Sequence, residues 1–192
     1  MEPKSVPHFN IPVRASVERF PSGEVYRLQS ADDSVAFTEE DYQRIAQICS
    51  EPLIYDILFR ALFDGRPYSV QDAEKLTKIA QEGWRKGSKF IFFIRNPQNQ
   101  IVASTDIKTN DVEAGEVGYW CSQKSPGIMT NAVSALIELA RNAGYKSLFG
   151  LTKAENEKSQ SVLTRAGFTK DSELEKMANI TSNLQESFEP KV

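Results

Sequence analysis

The spacing of apolar residues changes along the chain, and the elements follow from it. Residues 1–23 carry Pro3, Pro7, Pro12 and Pro21 and are expected to form an extended arm rather than a packed element. In "EVYRLQS" (24–30), Val25, Arg27 and Gln29 alternate with Tyr26 and Leu28, which is the period of a strand. "TEEDYQRIAQICS" opens with Thr-x-x-Asp and an acidic first turn and predicts a helix. "PLIYDILFRALF" is apolar on a helical period up to Asp64-Gly65. "SVQDAEKLTKIAQEGWRKG" starts at Ser69, a favoured N-cap, and stops at Gly87 behind basic residues. Ala73, Leu76, Ile79 and Ala80 follow its helical spacing.

The period then shortens. "KFIFFIRNPQNQIVASTDIK" is two β-rich runs around Asn96-Pro97-Gln98-Asn99, a hairpin signature. After a turn at 110–115, "EVGYWC" predicts a strand with Val117, Tyr119 and Cys121 on one side and Glu116, Gly118 and Trp120 on the other. A helix follows with Met129, Val133, Leu136, Ala140 and Ala143 on one face, ended by Gly144. "YKSLFGL" is a short strand, and "NEKSQSVLTRA" a helix closed by Gly167. In the tail, "NITSNLQESFE" alternates weakly and is expected as an edge strand. The fold class is therefore mixed α/β (α+β), with residues 24–190 as one domain.

Composition narrows the function. The chain has 192 residues, a net charge of -3 and 40% hydrophobic residues. That charge argues against sequence-independent nucleic-acid binding, which needs a basic footprint. Two cysteines and one histidine, His8, have no metal-ligand spacing, so no metal is expected. The single histidine also removes Ser-His-Asp or Cys-His chemistry from the core. No apolar run spans a membrane and no signal-peptide core opens the chain, so a soluble cytoplasmic protein without membrane partners is expected.

The polar turn "SQKSPG" (122–127) lies between two apolar elements. A helix N-terminus leaves unpaired N–H groups and partial positive charge, which suit a phosphate. Glycine there would let a phosphate approach the backbone. Pro-Gly before a helix is equally a common turn, and neither G-x-G-x-x-G nor a P-loop is present.

Three segments in register carry a resemblance: "EVGYW", "KSPGIMTNAV" and "NEKSQSVLTRAGF". Together they resemble the GNAT superfamily of acetyl-CoA-dependent N-acetyltransferases, most of all its Rim-type branch of ribosomal-protein N-terminal acetyltransferases. The resemblance covers about residues 24–168. It implies a central, mostly antiparallel twisted sheet flanked by helices and splayed between its fourth and fifth strands, with pantetheine in the gap. Backbone groups of Trp120, Cys121 and Ser122 would pair with pantetheine. The turn residues Lys124, Ser125, Gly127, Ile128, Met129 and Thr130 would hold the pyrophosphate. Asn156 and Ser159 would face the thioester. Glu116 is implied as the base that takes the amine proton, on the same face as Gly118, which would leave room for substrate. Ser159 would donate to the leaving sulfur, and the amide of Cys121 would face the oxyanion. Leu163 stands where many members carry an acidic tyrosine.

Lys124, Pro126, Met129 and Asn131 depart from the branch's pattern. The implied activity is acetyl transfer to a primary amine by direct attack in a ternary complex. The acceptor is a protein N-terminus, a lysine or a small amine. A CoA-binding regulatory module without turnover is the alternative, and a third reading keeps only the fold as an interaction domain. Glu116 as a solvated strand carboxylate, Asn156 as a mere N-cap and Cys121 as a small hydrophobe are the plain readings of those residues. A homodimer is left open.

Overall fold

The computed structural model describes residues 6–171 and 186–190. It is a mixed α/β structure built on one sheet. The strands are β1 (Arg14–Glu18), β2 (Val25–Ser30), β3 (Phe90–Arg95), β4 (Ile101–Ile107), β5 (Gly115–Cys121), β6 (Leu148–Thr152), β7 (Phe168–Lys170) and β8 (Glu186–Pro190). Their order across the sheet is β1-β2-β3-β4-β5-β6-β8-β7. Only β5–β6 is parallel among the described strand pairs.

The helices begin where local chemistry starts them. Thr38 and Asp41 form a capping box at α1 (Glu39–Cys49), and Ser69 and Asp72 do so at α3 (Val70–Lys86). Asn156 caps α5 (Glu157–Arg165) by accepting the Ser159 N–H at 3.1 Å. Gly87 and Gly144 end α3 and α4 (Met129–Ala143) in the left-handed region, where glycine has no Cβ penalty. The segment after α1 differs from the even helix expected: α2 (Pro52–Ile54) runs into a π-helical turn at Tyr55–Phe59, and turns follow.

β3 is buried along its whole length, as expected of an inner strand covered on both faces. The guanidinium of Arg95 meets the Asp41 carboxylate in a buried fork at 2.7 and 3.0 Å, joining β3 to α1. The Trp84 indole donates to Ile91 O at 2.8 Å, and its ring packs edge-on against Phe90 and Phe92. Met129, Val133, Leu136, Ala140 and Ala143 are all buried, as the helical period predicts. Ile79 breaks that pattern in α3: it is 54% exposed.

Two expectations at the chain ends are corrected. Part of the 1–23 segment is packed: β1 pairs with β2 from Arg14–Gln29 to Glu18–Val25, Val13 and Val17 are buried, and the Phe9 ring lies 4.7 Å from that of Phe90. β8 is an inner strand, between β6 and β7, and β7 forms the edge. The rest of the weakly alternating tail, 179–185, lies outside the described residues.

Candidate active site

A cavity of about 750 Å³ opens where β5 and β6 part. The two strands pair over three rungs, from Gly115–Leu148 to Val117–Gly150, and no further. β5 continues to Cys121 beside β4. Its remaining edge therefore faces the cavity, which Tyr119, Cys121, Gly150 and Thr152 line.

Strand parity decides which backbone groups face the gap. Lys108 N donates to Glu116 O at 2.8 Å and Ser122 N to Val102 O at 2.9 Å. Even-numbered residues of β5 thus turn their backbone groups to β4, and odd-numbered ones turn away from it. The backbone groups facing the open edge are those of Tyr119 and Cys121. Trp120 and Ser122, expected to pair with a ligand through their backbones, face β4 instead. The Trp120 indole is buried, 6.2 Å from the Phe93 ring.

The turn before α4 is partly committed to other partners. Glu51, just before α2, accepts from Ser122 Oγ at 2.7 Å and from the Gln123 amide at 2.6 Å. The Lys124 amide donates to Ser122 Oγ at 3.2 Å, and the Ser125 amide to Ser122 O at 2.9 Å. Lys124 is exposed, Ser125 and Ile128 are buried, and none of the three is among the cavity-lining residues. Gly127, Met129 and Thr130 do line it. The first bond of α4 runs from Ala132 N to Ile128 O, and no side chain caps this helix. Its first N–H groups therefore end at the cavity without a cap, unlike those of α1, α3 and α5.

The reason for glycine at 127 differs from the expectation. Its φ is +89°, and a Cβ there would collide with the Phe20 carbonyl oxygen. Phe20 N donates to Gly127 O at 2.9 Å, Arg19 Nε to Pro126 O at 3.1 Å, and Asn131 Nδ2 to Glu18 O at 2.8 Å. The β1–β2 hairpin is thus fastened to the start of α4. Sequence reasoning missed this contact, because nothing local connects residues about a hundred positions apart.

The remaining site residues fall into two groups. Ser159 lines the cavity, and its Oγ lies 2.7 Å from the Tyr119 hydroxyl, which also donates to Ser159 O at 3.0 Å. Burial pushes the Tyr119 phenol up to about 12, against the Ser159 hydrogen bond, so the phenol stays protonated. Tyr119 was missed as a site residue; its place in "EVGYW" beside the gap is the signal that could have found it. Asn156 lines the cavity and caps α5 at once. Arg165, also missed, lines it too and donates from Nε to Thr130 Oγ1 at 3.3 Å, placing a cation beside the α4 terminus. Leu163 is buried and packs on Gly150, where a Cβ would come within 3.2 Å of it. Burial raises the Cys121 thiol to about 12, and the Glu51 charge adds to this. Its Sγ donates to Ser125 O at 3.2 Å, the contact of a protonated thiol.

Glu116 sits on the middle β5–β6 rung, just before the strands part, and is not among the cavity-lining residues; it is ion-paired with Lys108, which is. The space over Gly118 is occupied, contrary to expectation. A Cβ there would lie 2.6 Å from Asp106 Oδ1 and 2.9 Å from Lys108 Cε. Asp106 is half-buried, yet its Oδ1 is sealed and has no hydrogen-bond partner. Burial raises its carboxyl above the ordinary range, against the nearby Lys108 charge. Thr152 Oγ1, at the cavity, is likewise buried without a partner.

Residues 35–169 match the family profile described as the acetyltransferase (GNAT) domain. No curated protein matches the chain. Among solved structures, RimJ of Mycobacterium smegmatis, in complex with CoA-disulfide, is 15% identical with a TM-score of 0.70, covering 93% of this chain and 87% of that one. RimL, a ribosomal L7/L12 alpha-N-protein acetyltransferase in complex with coenzyme A, is 16% identical with a TM-score of 0.66, covering 91% and 98%. The microcin C7 self-immunity acetyltransferase MccE, in complex with acetyl-CoA and AMP, is 17% identical with a TM-score of 0.66, covering 86% and 92%. At these identities the likeness is one of fold.

Proposed function

The chain belongs to the GNAT acetyltransferase family, whose members are acetyl-CoA-dependent N-acetyltransferases, and from that membership we propose that it moves the acetyl group to a primary amine by direct attack in a ternary complex. The observation that carries this reading is the uncapped α4 terminus opening on the gap between β5 and β6. A nucleotide thioester fits both halves of that arrangement. Its pyrophosphate suits the free amides after Pro126 and the Arg165 cation. Its pantetheine amides suit the free backbone groups of Cys121, the free carbonyl of Tyr119 and the unpartnered hydroxyl of Thr152. Met129 lines the cavity without closing it.

Glu116 would take the proton from the acceptor amine, directly or through a water, once the amine displaces Lys108. Of the two free amides, that of Tyr119 would meet the developing oxyanion, because the Cys121 amide, expected there from the sequence, lies five residues along β5 from Glu116, about 16 Å away at roughly 3.3 Å per residue. The leaving thiolate has a parent pKa near 8.5 and needs little help; Ser159, held by Tyr119, would supply its hydrogen bond. The motifs "EVGYW" and "NEKSQSVLTRAGF", together with the folds of RimJ and RimL, support the Rim-type branch. A peptide N-terminus, a lysine and a small amine all remain acceptors of the right chemistry.

Thermal melting with acetyl-CoA at 100 times its Kd is expected to add about 2.7 kcal/mol of stability. Thiol release with an amine panel then separates turnover from mere binding. Glu116→Gln should slow turnover and keep the melting shift. If acetyl-CoA leaves the melting curve unchanged, the reading falls.

A further inference from the structure

The proposed acceptor site already holds a primary amine. Lys108 lies one residue beyond β4, opposite Glu116, and lines the cavity. Its aliphatic chain crosses Gly118, where a Cβ would come within 2.9 Å of Lys108 Cε. Its ammonium is ion-paired with Glu116. Gly118 follows the last β5–β6 rung, Val117–Gly150, so this amine is held at the point where the strands part. Lys153 and Lys158 also line the cavity, from the turn after β6 and from the first turn of α5. Lys108 alone of the three is ion-paired with Glu116.

We propose that Lys108 is a site of self-acetylation: the enzyme's own lysine, held by Glu116 in the acceptor position, takes the acetyl group from acetyl-CoA when no other amine displaces it. This rests on the acetyl-transfer reading above. The ammonium gives one proton to the Glu116 carboxylate. The freed Nζ pair attacks the thioester carbonyl, forming the N–C bond, and the C–S bond breaks. The second proton lost by nitrogen goes to the departing CoA thiolate, and Glu116 returns its proton to water. The products are an ε-N-acetyl amide at Lys108 and free CoA thiol. The amide carries no charge, so the modified protein leaves Glu116 without its counter-ion.

The test is a time course of the folded protein with acetyl-CoA and no added amine, read by peptide mass spectrometry, with melting curves on the same samples. Lys108 should gain its acetyl about 100-fold faster than Lys153 and Lys158, the low end of what a positioned base contributes. The rate constant should not change on diluting the protein, as an intramolecular step requires. The advantage should vanish in urea and in Glu116→Gln, and Lys108→Arg should abolish the mark. Labelling of Lys108 no faster than its two neighbours, or undiminished in Glu116→Gln, overturns the proposal; if acetyl-CoA still shifts the melting curve and an added amine still releases thiol, the function stands. No melting shift and no labelling overturn both.

Discussion

The hydroxyl of Tyr119 lies 2.7 Å from Ser159 Oγ, joining β5 to α5 across the cavity. The phenol stays protonated up to about pH 12 and donates to Ser159 O, so it orients Ser159 without competing for protons. Tyr119→Phe should lower kcat by a few-fold, and Ser159→Ala by at most about tenfold, the worth of one hydrogen bond. The double variant should fall short of the product of the two, because the residues act as a unit. Acetyl-CoA melting shifts should survive in all three. Steady-state kinetics giving independent effects would uncouple the pair.

Glu51 fastens the turn between β5 and α4 through Ser122 and Gln123. Hydrogen bonds to a charged group contribute about 1.5–3 kcal/mol each. Glu51→Ala should therefore loosen the turn and raise KM for acetyl-CoA by about tenfold, each factor of ten being 1.4 kcal/mol. Because Glu51 touches no reacting group, kcat should change much less; a loss confined to kcat would refute the positioning role.

Gly127→Ala meets two obstacles, a left-handed φ of +89° and the Phe20 carbonyl. It should cost at least about 1 kcal/mol, read as a lower urea midpoint. The damage should extend to acetyl-CoA affinity, since the hairpin and the α4 terminus would separate. An unchanged midpoint would show that the hairpin gives way freely.

Asp106 bears on the pH dependence of stability. Burial raises its carboxyl pKa in the folded state, so the folded protein holds that proton more tightly than the unfolded chain. Its contribution is greatest below the ordinary carboxylate range and is lost as pH rises toward the folded value. Asp106→Asn keeps the shape and removes the charge. It should raise the urea midpoint at neutral pH and flatten its slope on the acid side. An identical slope in the variant would show that Asp106 is not the group responsible.

Helix boundaries were legible because their determinants are local: Thr38 and Asp41, or Ser69 and Asp72, are three positions apart and cap the helix they begin. The buried face of α4 followed from its period for the same reason. The cavity was legible in outline, since Gly127, Met129, Thr130, Asn156 and Ser159 all line it. What escaped depends on partners remote in the chain. Gly127 is required by Phe20, Gly118 by Asp106 and Lys108, and the turn at 122–123 is held by Glu51. Parity along β5 is set by the register with β4, which side-chain alternation alone does not reveal.

The early parting of β5 and β6 leaves a signature for deuterium exchange. The amides of Tyr119 and Cys121 sit deep within an eight-stranded sheet, yet β6 stops pairing before it reaches them. They should trade hydrogen with solvent as fast as loop amides, while Gly118, Trp120 and Ser122 between and beside them stay slow against β4. A thioester lying along that edge would slow the odd positions and leave the even ones untouched. Such a one-residue alternation cannot be imitated by a general tightening of the molecule, so it would report occupancy of the slot itself.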